Sequence, residues 1–279
     1  MANDHALDEA DHPPRLIVDE PAPHVLRITL NRPERMNALD GATLEALERR
    51  LQDGAAPARD LRVIIVRGSG KAFCAGNDLK WLASGVLDDR AAHMQHQDRM
   101  QRVFENMEAG RQIVIGSVNG FAVAGGLELA LACDLLVVDQ DAQLGDEHIR
   151  RNLLPSGGSS QRLPRRLGLQ RALYYLLTGR RMSGREAVDM GLAALAVPGA
   201  ALEETTLALA REIARADPEA LAGMKLLARR SLEVPLRDGL SLERWMQHRY
   251  RVSSPALDAG VRAFATGGES GPGHSRSTG

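Results

Sequence analysis

Aromatic side chains are scarce in this chain, with two Trp, three Tyr and four Phe among 279 residues, and charge of either sign is nearly cancelled: 35 basic and 36 acidic residues leave a formal net charge of −1. That balance excludes a broad electrostatic pull toward nucleic acid or anionic lipid. The basic clusters "RLPRRLG" and "GRR" lack the interleaved aromatics on which bases stack, so they are expected on a surface or a subunit interface. Cysteine is nearly absent. Cys74 and Cys133 both lie in apolar runs, which fits reduced thiols in a cytoplasmic protein and excludes a disulfide framework. No apolar run reaches membrane-spanning length. The acidic start "MANDHALDEADHPPR" has no apolar centre of the kind a secretory signal needs. Residues 1–14 are expected to be a disordered leader, and the Gly- and Ser-rich residues 267–279 a disordered tail. "LPSGGSS" lacks the Lys-Ser/Thr ending of a phosphate loop. His93 and His96, with Asp98 nearby, have no third ligand at a fitting spacing, so no metal site is expected and both imidazoles are assigned to a solvated helix face.

What is present alternates between strand and helix patterns. "RLIVD" and "VLRITL" read as two strands joined by a turn carrying Pro21 and Pro23. "TLEALERRLQD" has helical spacing, with Leu44, Leu47 and Leu51 on one stripe. "LRVIIVRG", "QIVIGSVNG" and "LLVVD" are buried strands, and "MQRVFENM" continues a helix. This is an α/β class with parallel pairing. From about residue 159 the pattern becomes mainly helical. Ser183 and Glu186 have capping-box spacing, and Gly191 suits the stop of that helix. The chain is therefore divided into a core over 15–200 and a helical region over 201–266.

Two turns carry the chemistry. In "AFCAGNDLKWL" a strand ends, small Ala75 and Gly76 allow close backbone approach, and Asn77 and Asp78 lead into a helical segment. In "VNGFAVAGGLELALACD" a second strand ends and glycines again open a helical run. Free N–H groups at a helix start favour negative charge. Two such turns at the same ends of neighbouring parallel strands would aim two donors at one point, the arrangement of an oxyanion hole. Glu128 lies three residues beyond Gly125, one helical turn away on nearly the same face. Its apolar neighbours Leu127 and Leu129 should disfavour its charged form and raise its pKa, as suits general acid–base work.

The ordered set "LNRPERMNAL", "GSGKAFCAGNDLK", "VNGFAVAGGLELALACD" and "LLPSGGSSQRLPRRLG…LTGRRMSGREAVDMGL" resembles the crotonase, or enoyl-CoA hydratase/isomerase, superfamily. The resemblance runs from about residue 25 to 264. It implies an α/β crotonase-like spiral of ββα units with a C-terminal helical region used in subunit packing. It also implies trimers that usually pair into hexamers, and an acyl-CoA thioester substrate bound without metal or redox cofactor. Carried over, the two oxyanion donors are the backbone N–H groups of Asn77 and Gly125; only the amide of Asn77 is required. Arg35, Ala38, Ala75, Asp78, Leu79 and Lys80 are then expected to line the coenzyme A path, with Arg35 toward the phosphates.

The chain departs from the family at one chemical position. Hydratases of the family hold a water between two glutamates. One matches Glu128; the other, twenty residues on, falls on His148, preceded by Asp146 and Glu147. An imidazole can also hold a water and exchange a proton near neutrality, and Glu147 swinging inward is the alternative. The expected activity is addition of water to a 2-enoyl-CoA through an oxyanion-stabilised enolate. Double-bond isomerisation, or other acyl-CoA enolate chemistry, comes next. A non-catalytic acyl-CoA or nucleic-acid binding member of the fold is the reading from another class. The basic pair that often follows the "AF" motif in the family is missing here, where Arg262 and Phe264 precede "ATGGESGP".

Overall fold

The computed structural model describes residues 14–54 and 60–266. The leader and the tail expected from composition lie outside the described residues, apart from residue 14. Strands β1 (Leu16–Ala22) and β2 (Val25–Leu30) form an antiparallel hairpin. It turns at Pro23 and His24, and Pro21 falls inside β1. From β2 the sheet continues in parallel through β3 (Val63–Gly68), β5 (Ile113–Val118), β7 (Leu135–Asp139) and β10 (Leu195–Val197). A second sheet is made of very short strands: β4 (Ala72–Cys74), β6 (Phe121–Val123) and β8 (Gln143–Gly145) run parallel, and β9 (Met182–Ser183) closes it antiparallel.

The two sheets are built together. Each of β3, β5 and β7 contributes to the large sheet, the chain then turns into β4, β6 or β8 of the small one, and a helical segment follows. This is the ββα repeat that the resemblance implies. The first two repeats are followed by α2 (Leu79–Trp81) with α3 (Arg90–Ala109), and by α4 (Gly125–Ala132). The third is followed by α5 (Ser159–Leu167) and α6 (Leu169–Thr178). Helix α1 (Gly41–Gly54) buries Leu44, Leu47 and Leu51, the stripe read from the sequence.

The large sheet is covered on both faces, which is why its strands read as continuous apolar runs. Leu26, Ile64, Val66 and Val114 point into a core shared with α1, α3 and α4. Val25, Val63, Ile65, Ile115 and Val137 point the other way, against Leu202 and Ala210 of α8 (Leu202–Ile213). Each such fully buried branched aliphatic contributes about 1.5–3 kcal/mol. Helix α7 (Gly184–Asp189) starts with a complete capping box: Ser183 Oγ accepts from the Glu186 amide, and the Glu186 carboxylate accepts from the Ser183 amide. Helices α9 (Pro218–Arg230), α10 (Leu236–Ser253) and α11 (Ala256–Ala265) complete the described chain. No described helix is long and apolar enough to cross a membrane.

Candidate active site

The small sheet sets the site. Because β4 and β6 are parallel neighbours, both chains leave it at the same end. The turns over Ala75–Asn77 and Ala124–Gly125 therefore come out side by side. A Cβ on Gly76, whose φ is +87°, would stand 2.7 Å from the amide nitrogen of Gly125, so no other residue fits there without displacing main chain. Ala124 has φ 51° and ψ −123°, a conformation that a residue with a Cβ rarely adopts. Its N–H donates to Gly145 O at 2.9 Å, which holds the strained turn in place. Neither the Asn77 nor the Gly125 amide donates to a protein acceptor among the described residues, whereas the flanking amides do: Ala75 to Met36 O, Asp78 to Leu39 O and Ala124 to Gly145 O.

The "RPERMNAL" segment is brought against the first turn by Leu39, whose N–H donates to Gly76 O at 2.7 Å. Arg32 is buried beneath it, bonding Ala38 O and pairing with Asp78 and Asp40. Of the residues assigned to the coenzyme path, Arg35, Leu79 and Lys80 are exposed, Ala75 is half-buried, and Ala38 and Asp78 are buried. The Asp78 carboxylate is occupied: it caps α2 through the Lys80 and Trp81 amides and meets Arg32. Those hydrogen bonds and the nearby arginine hold it below the usual carboxylate range despite burial.

Glu128 is completely buried in a helix with no exposed face. Its Oε1 accepts from the Gly157 amide at 2.8 Å and the Ser159 amide at 3.1 Å. Thus the Gly-rich loop before α5 directs two of its amides at the protein's own carboxyl group. Oε2 has no protein partner. A Cβ on Gly157 would sit 2.5 Å from that oxygen and 2.7 Å from the Phe104 ring, so glycine is required there. Burial raises the Glu128 pKa, and the two amides and the charge of His148 offset only part of that shift.

His148 is 8% exposed and begins a short 3₁₀ turn, His148–Arg151. Its Nδ1 lies 3.0 Å from Asp146 Oδ2, and its amide donates to Asp146 Oδ1. Burial alone would lower its pKa; the hydrogen bond to Asp146 and the charges of Asp146 and Glu128 outweigh that and raise it. Ser159 links the two groups, since its amide meets Glu128 and its hydroxyl donates to Asp146. Glu147 is turned away: its carboxylate pairs with Arg181 at 2.5 Å and with Arg150 at 3.4 Å.

Several side chains differ from their sequence reading. His96 is not on a solvated face. It is 5% exposed, its Nε2 lies 3.0 Å from Asn77 Oδ1, and burial depresses its pKa to about 4. The i, i+4, i+8 stripe His96, Met100, Phe104 carried that signal, because all three are buried on α3. Asp146 and Ser159 join the site without a role assigned from sequence; an acid two residues before a histidine is the short-range signal for the first. In the basic clusters, Arg166 turns inward to the carbonyls of Leu131 and Cys133, and Arg162 meets Glu108. These two are internal ties and not a surface patch. Both cysteines are free thiols, and burial pushes each up to about 12. Among the described residues no group of three or more His, Cys, Asp or Glu side chains is gathered for a metal ion. A cavity of about 800 Å³ between α3, α9 and α10, lined by Met224, Leu227, Trp245 and Met246, contains none of the site residues named above.

Known proteins carry the same organisation. The family model described as "Enoyl-CoA hydratase/isomerase" matches residues 21–269. The chain is 36% identical over 244 residues to a putative enoyl-CoA hydratase/isomerase, YngF, of Bacillus subtilis, covering 86% of this chain and 91% of that protein. It is 36% identical over 220 residues to the 2,3-dehydroadipyl-CoA hydratase of Escherichia coli, covering 79% and 84% respectively. A crystal structure of an enoyl-CoA hydratase from Bacillus anthracis superposes with a TM-score of 0.87 at 34% identity, over 94% of this chain and 99% of that one. With its ββα spiral, its paired turns and these relatives, the chain belongs to the enoyl-CoA hydratase/isomerase family.

Proposed function

We propose that this protein adds water across the double bond of a 2-enoyl-CoA thioester. The observation that carries the reading is one buried carboxylate oxygen, Glu128 Oε2, left without a protein partner a helical turn from an uncapped amide pair. Burying a carboxylate without a cation or a full set of hydrogen bonds costs stability, so such an atom marks a site that a substrate or a water completes.

In the proposed reaction the thioester oxygen accepts from the N–H groups of Asn77 and Gly125. This draws electrons from the conjugated double bond and makes C3 electrophilic. One lost donor of this kind typically costs ~2.7–4 kcal/mol of barrier stabilisation. Glu128 Oε2 takes a proton from a water as the water oxygen bonds to C3. The imidazolium of His148, held by Asp146 through Nδ1, delivers its Nε2 proton to C2 as the enolate collapses. Proton transfer from Glu128 to His148 restores both groups, and the sum is one water added. The raised pKa of His148 supports its role as the acid, and the amides of Gly157 and Ser159 support Glu128 as the ionised base.

We further assign the protein to the cytoplasm and to a homotrimer or a dimer of trimers. The free thiols support the former, and the exposed Leu236, Trp245, Val252 and Phe264 of α10 and α11 support the latter. Mass-spectrometric product analysis with 2-enoyl, 3-enoyl and 3-hydroxyacyl-CoA thioesters tests the reaction. Gain of one water by the 2-enoyl substrate is expected. A shift of the double bond at constant mass would assign isomerisation instead, and ligand binding without turnover across the panel would remove catalysis altogether.

A further inference from the structure

Ser159, the first residue of α5, is completely buried and divides its two donors between the two halves of the reactive cluster. Its amide donates to Glu128 Oε1 at 3.1 Å, and its hydroxyl donates to Asp146 Oδ2. Asp146 Oδ2 is also the atom that faces His148 Nδ1, at 3.0 Å. One carboxylate oxygen therefore meets the hydroxyl and the imidazole together, while Oδ1 accepts from the His148 amide. The serine is held from behind as well. Gly157 O accepts from Arg162 Nη1 at 2.5 Å, and Arg162 is paired with Glu108, so a shift of the loop 157–159 breaks that bond.

The hydroxyl is not equally needed in the two states of the pair. When His148 is protonated, Asp146 faces a cation that matches its charge. When His148 is neutral, the buried carboxylate is met only by neutral donors, and each of them counts for more. Burial alone would raise the Asp146 pKa, but the hydrogen bonds from His148 and Ser159 outweigh that and hold the carboxyl below its ordinary range. Ser159 thus favours the state in which the imidazole has released its proton, whereas the charges of Asp146 and of Glu128 on α4 favour the imidazolium. Arg151, on the same turn as His148, opposes the imidazolium. Helix α6 packs on that turn; its Arg171 is exposed, its Tyr174 binds Arg180, and Arg150 and Arg181 are taken up by Glu147.

We infer that Ser159 is a positioning residue of the reaction: its amide orients Glu128, and its hydroxyl supports Asp146 as an anion at the moment His148 passes its proton to C2. Without the hydroxyl, Asp146 would hold the imidazolium more firmly and His148 would be a poorer acid. The inference rests on His148 acting as the acid, as in the proposed function.

Ser159→Ala tests it, because it removes the hydroxyl and keeps the amide for Glu128. Histidine Cε1 is labelled with ¹³C, and the His148 signal is assigned by its loss in His148→Asn. Its NMR titration midpoint should move to higher pH by about half a unit or more in Ser159→Ala, a fraction of one hydrogen bond to a charged group. Ser159→Cys, close in shape but a weak donor, should fall between the two. In the pH–rate profile of crotonyl-CoA hydration, the alkaline limb should follow the midpoint upward while the acidic limb, set by Glu128, stays in place. Below the alkaline limb kcat should fall roughly two- to fivefold with KM unchanged. A residue of purely structural importance would lower Tm and leave midpoint and limb where they were. That result, or a midpoint moving to lower pH, would overturn the inference. The NMR reading needs no substrate, so the two failures separate. An unmoved midpoint in a protein that hydrates crotonyl-CoA removes this inference alone. A moved midpoint in a protein that hydrates no 2-enoyl-CoA removes the functional reading and, with it, the part of Ser159 in the reaction.

Discussion

Glu108 and Glu128 are glutamates that each meet donors from the start of α5, and their surroundings push them in opposite directions. Glu108 sits at the C-terminal end of α3, where Arg162 and Arg229 both reach it. Arg229 also pairs with Asp134, and Lys225 joins Asp134 while donating to the carbonyls of Met107 and Gln112. Burial alone would raise the Glu108 pKa, but the two guanidinium groups outweigh it and hold the carboxyl below its usual range. Around Glu128 no arginine or lysine is bonded; two amides meet one oxygen, and the other is left open. Its pKa moves up. In the first cluster both carboxylates are paired with cations, and the pairs tie α5 and α9 to the core. In the second no cation is bonded among the described residues, the arrangement that the proposed proton exchange at Glu128 requires.

The sharpest way to break this contrast is Glu128→Gln. It keeps the shape and the acceptor for Gly157 and Ser159 but removes the charge. Hydration of crotonyl-CoA should fall by roughly 10²–10⁴-fold, while binding of a saturated acyl-CoA is retained and Tm stays unchanged or rises. Lys225→Met is the converse case. Thermal or urea unfolding should show a loss of about 3 kcal/mol, since it leaves a buried ion pair broken and two carbonyls unmet. Turnover per folded molecule should be preserved. If Lys225→Met were silent in unfolding and Glu128→Gln destabilising, the two clusters would not differ in kind.

Asp146→Asn sharpens the account within the reactive cluster. In the proposed reaction Glu128 must be ionised and His148 protonated. The rate should therefore rise through the Glu128 pKa, above 4.5, and fall through that of His148, above 6.5. Asn can still accept from His148 Nδ1 but removes the negative charge that raises the imidazole pKa, so the alkaline limb should move to lower pH, with kcat down about tenfold or more. A pH–rate profile with an unmoved alkaline limb would detach His148 from the chemistry. Ser183→Ala, in neither cluster, sets the scale of an ordinary structural contact: about 1 kcal/mol from the lost cap of α7, with unchanged turnover.

How much of this was legible in the sequence depends on the reach of each signal. Strand β7 is legible at its observed bounds because its apolar run is continuous, and β2 because Val25, Leu26, Ile28 and Leu30 are buried apolar residues with Arg27 and Thr29 between them. The capping box at Ser183 was visible because capping acts between residues three apart. Glu128 was readable as buried because no polar residue surrounds it in α4. The small sheet was hidden, since strands of two or three residues such as β4 and β9 carry no usable periodicity. Charges were misjudged where the partner is distant in sequence: Arg162 finds Glu108 across 54 residues, and His96 finds Asn77 across 19. Composition assigns such groups to solvent unless a partner is known.

The central claim is that the amides of Asn77 and Gly125 converge on one thioester oxygen beside Glu128. Isotope-edited infrared spectroscopy of a bound saturated acyl-CoA, labelled with ¹³C at the thioester carbonyl, tests it most directly in the Glu128→Gln protein. The account predicts a carbonyl stretch shifted to lower frequency than that of the free thioester in water, because two oriented donors polarise the bond. A bound carbonyl absorbing at or above the frequency of the free thioester would contradict it.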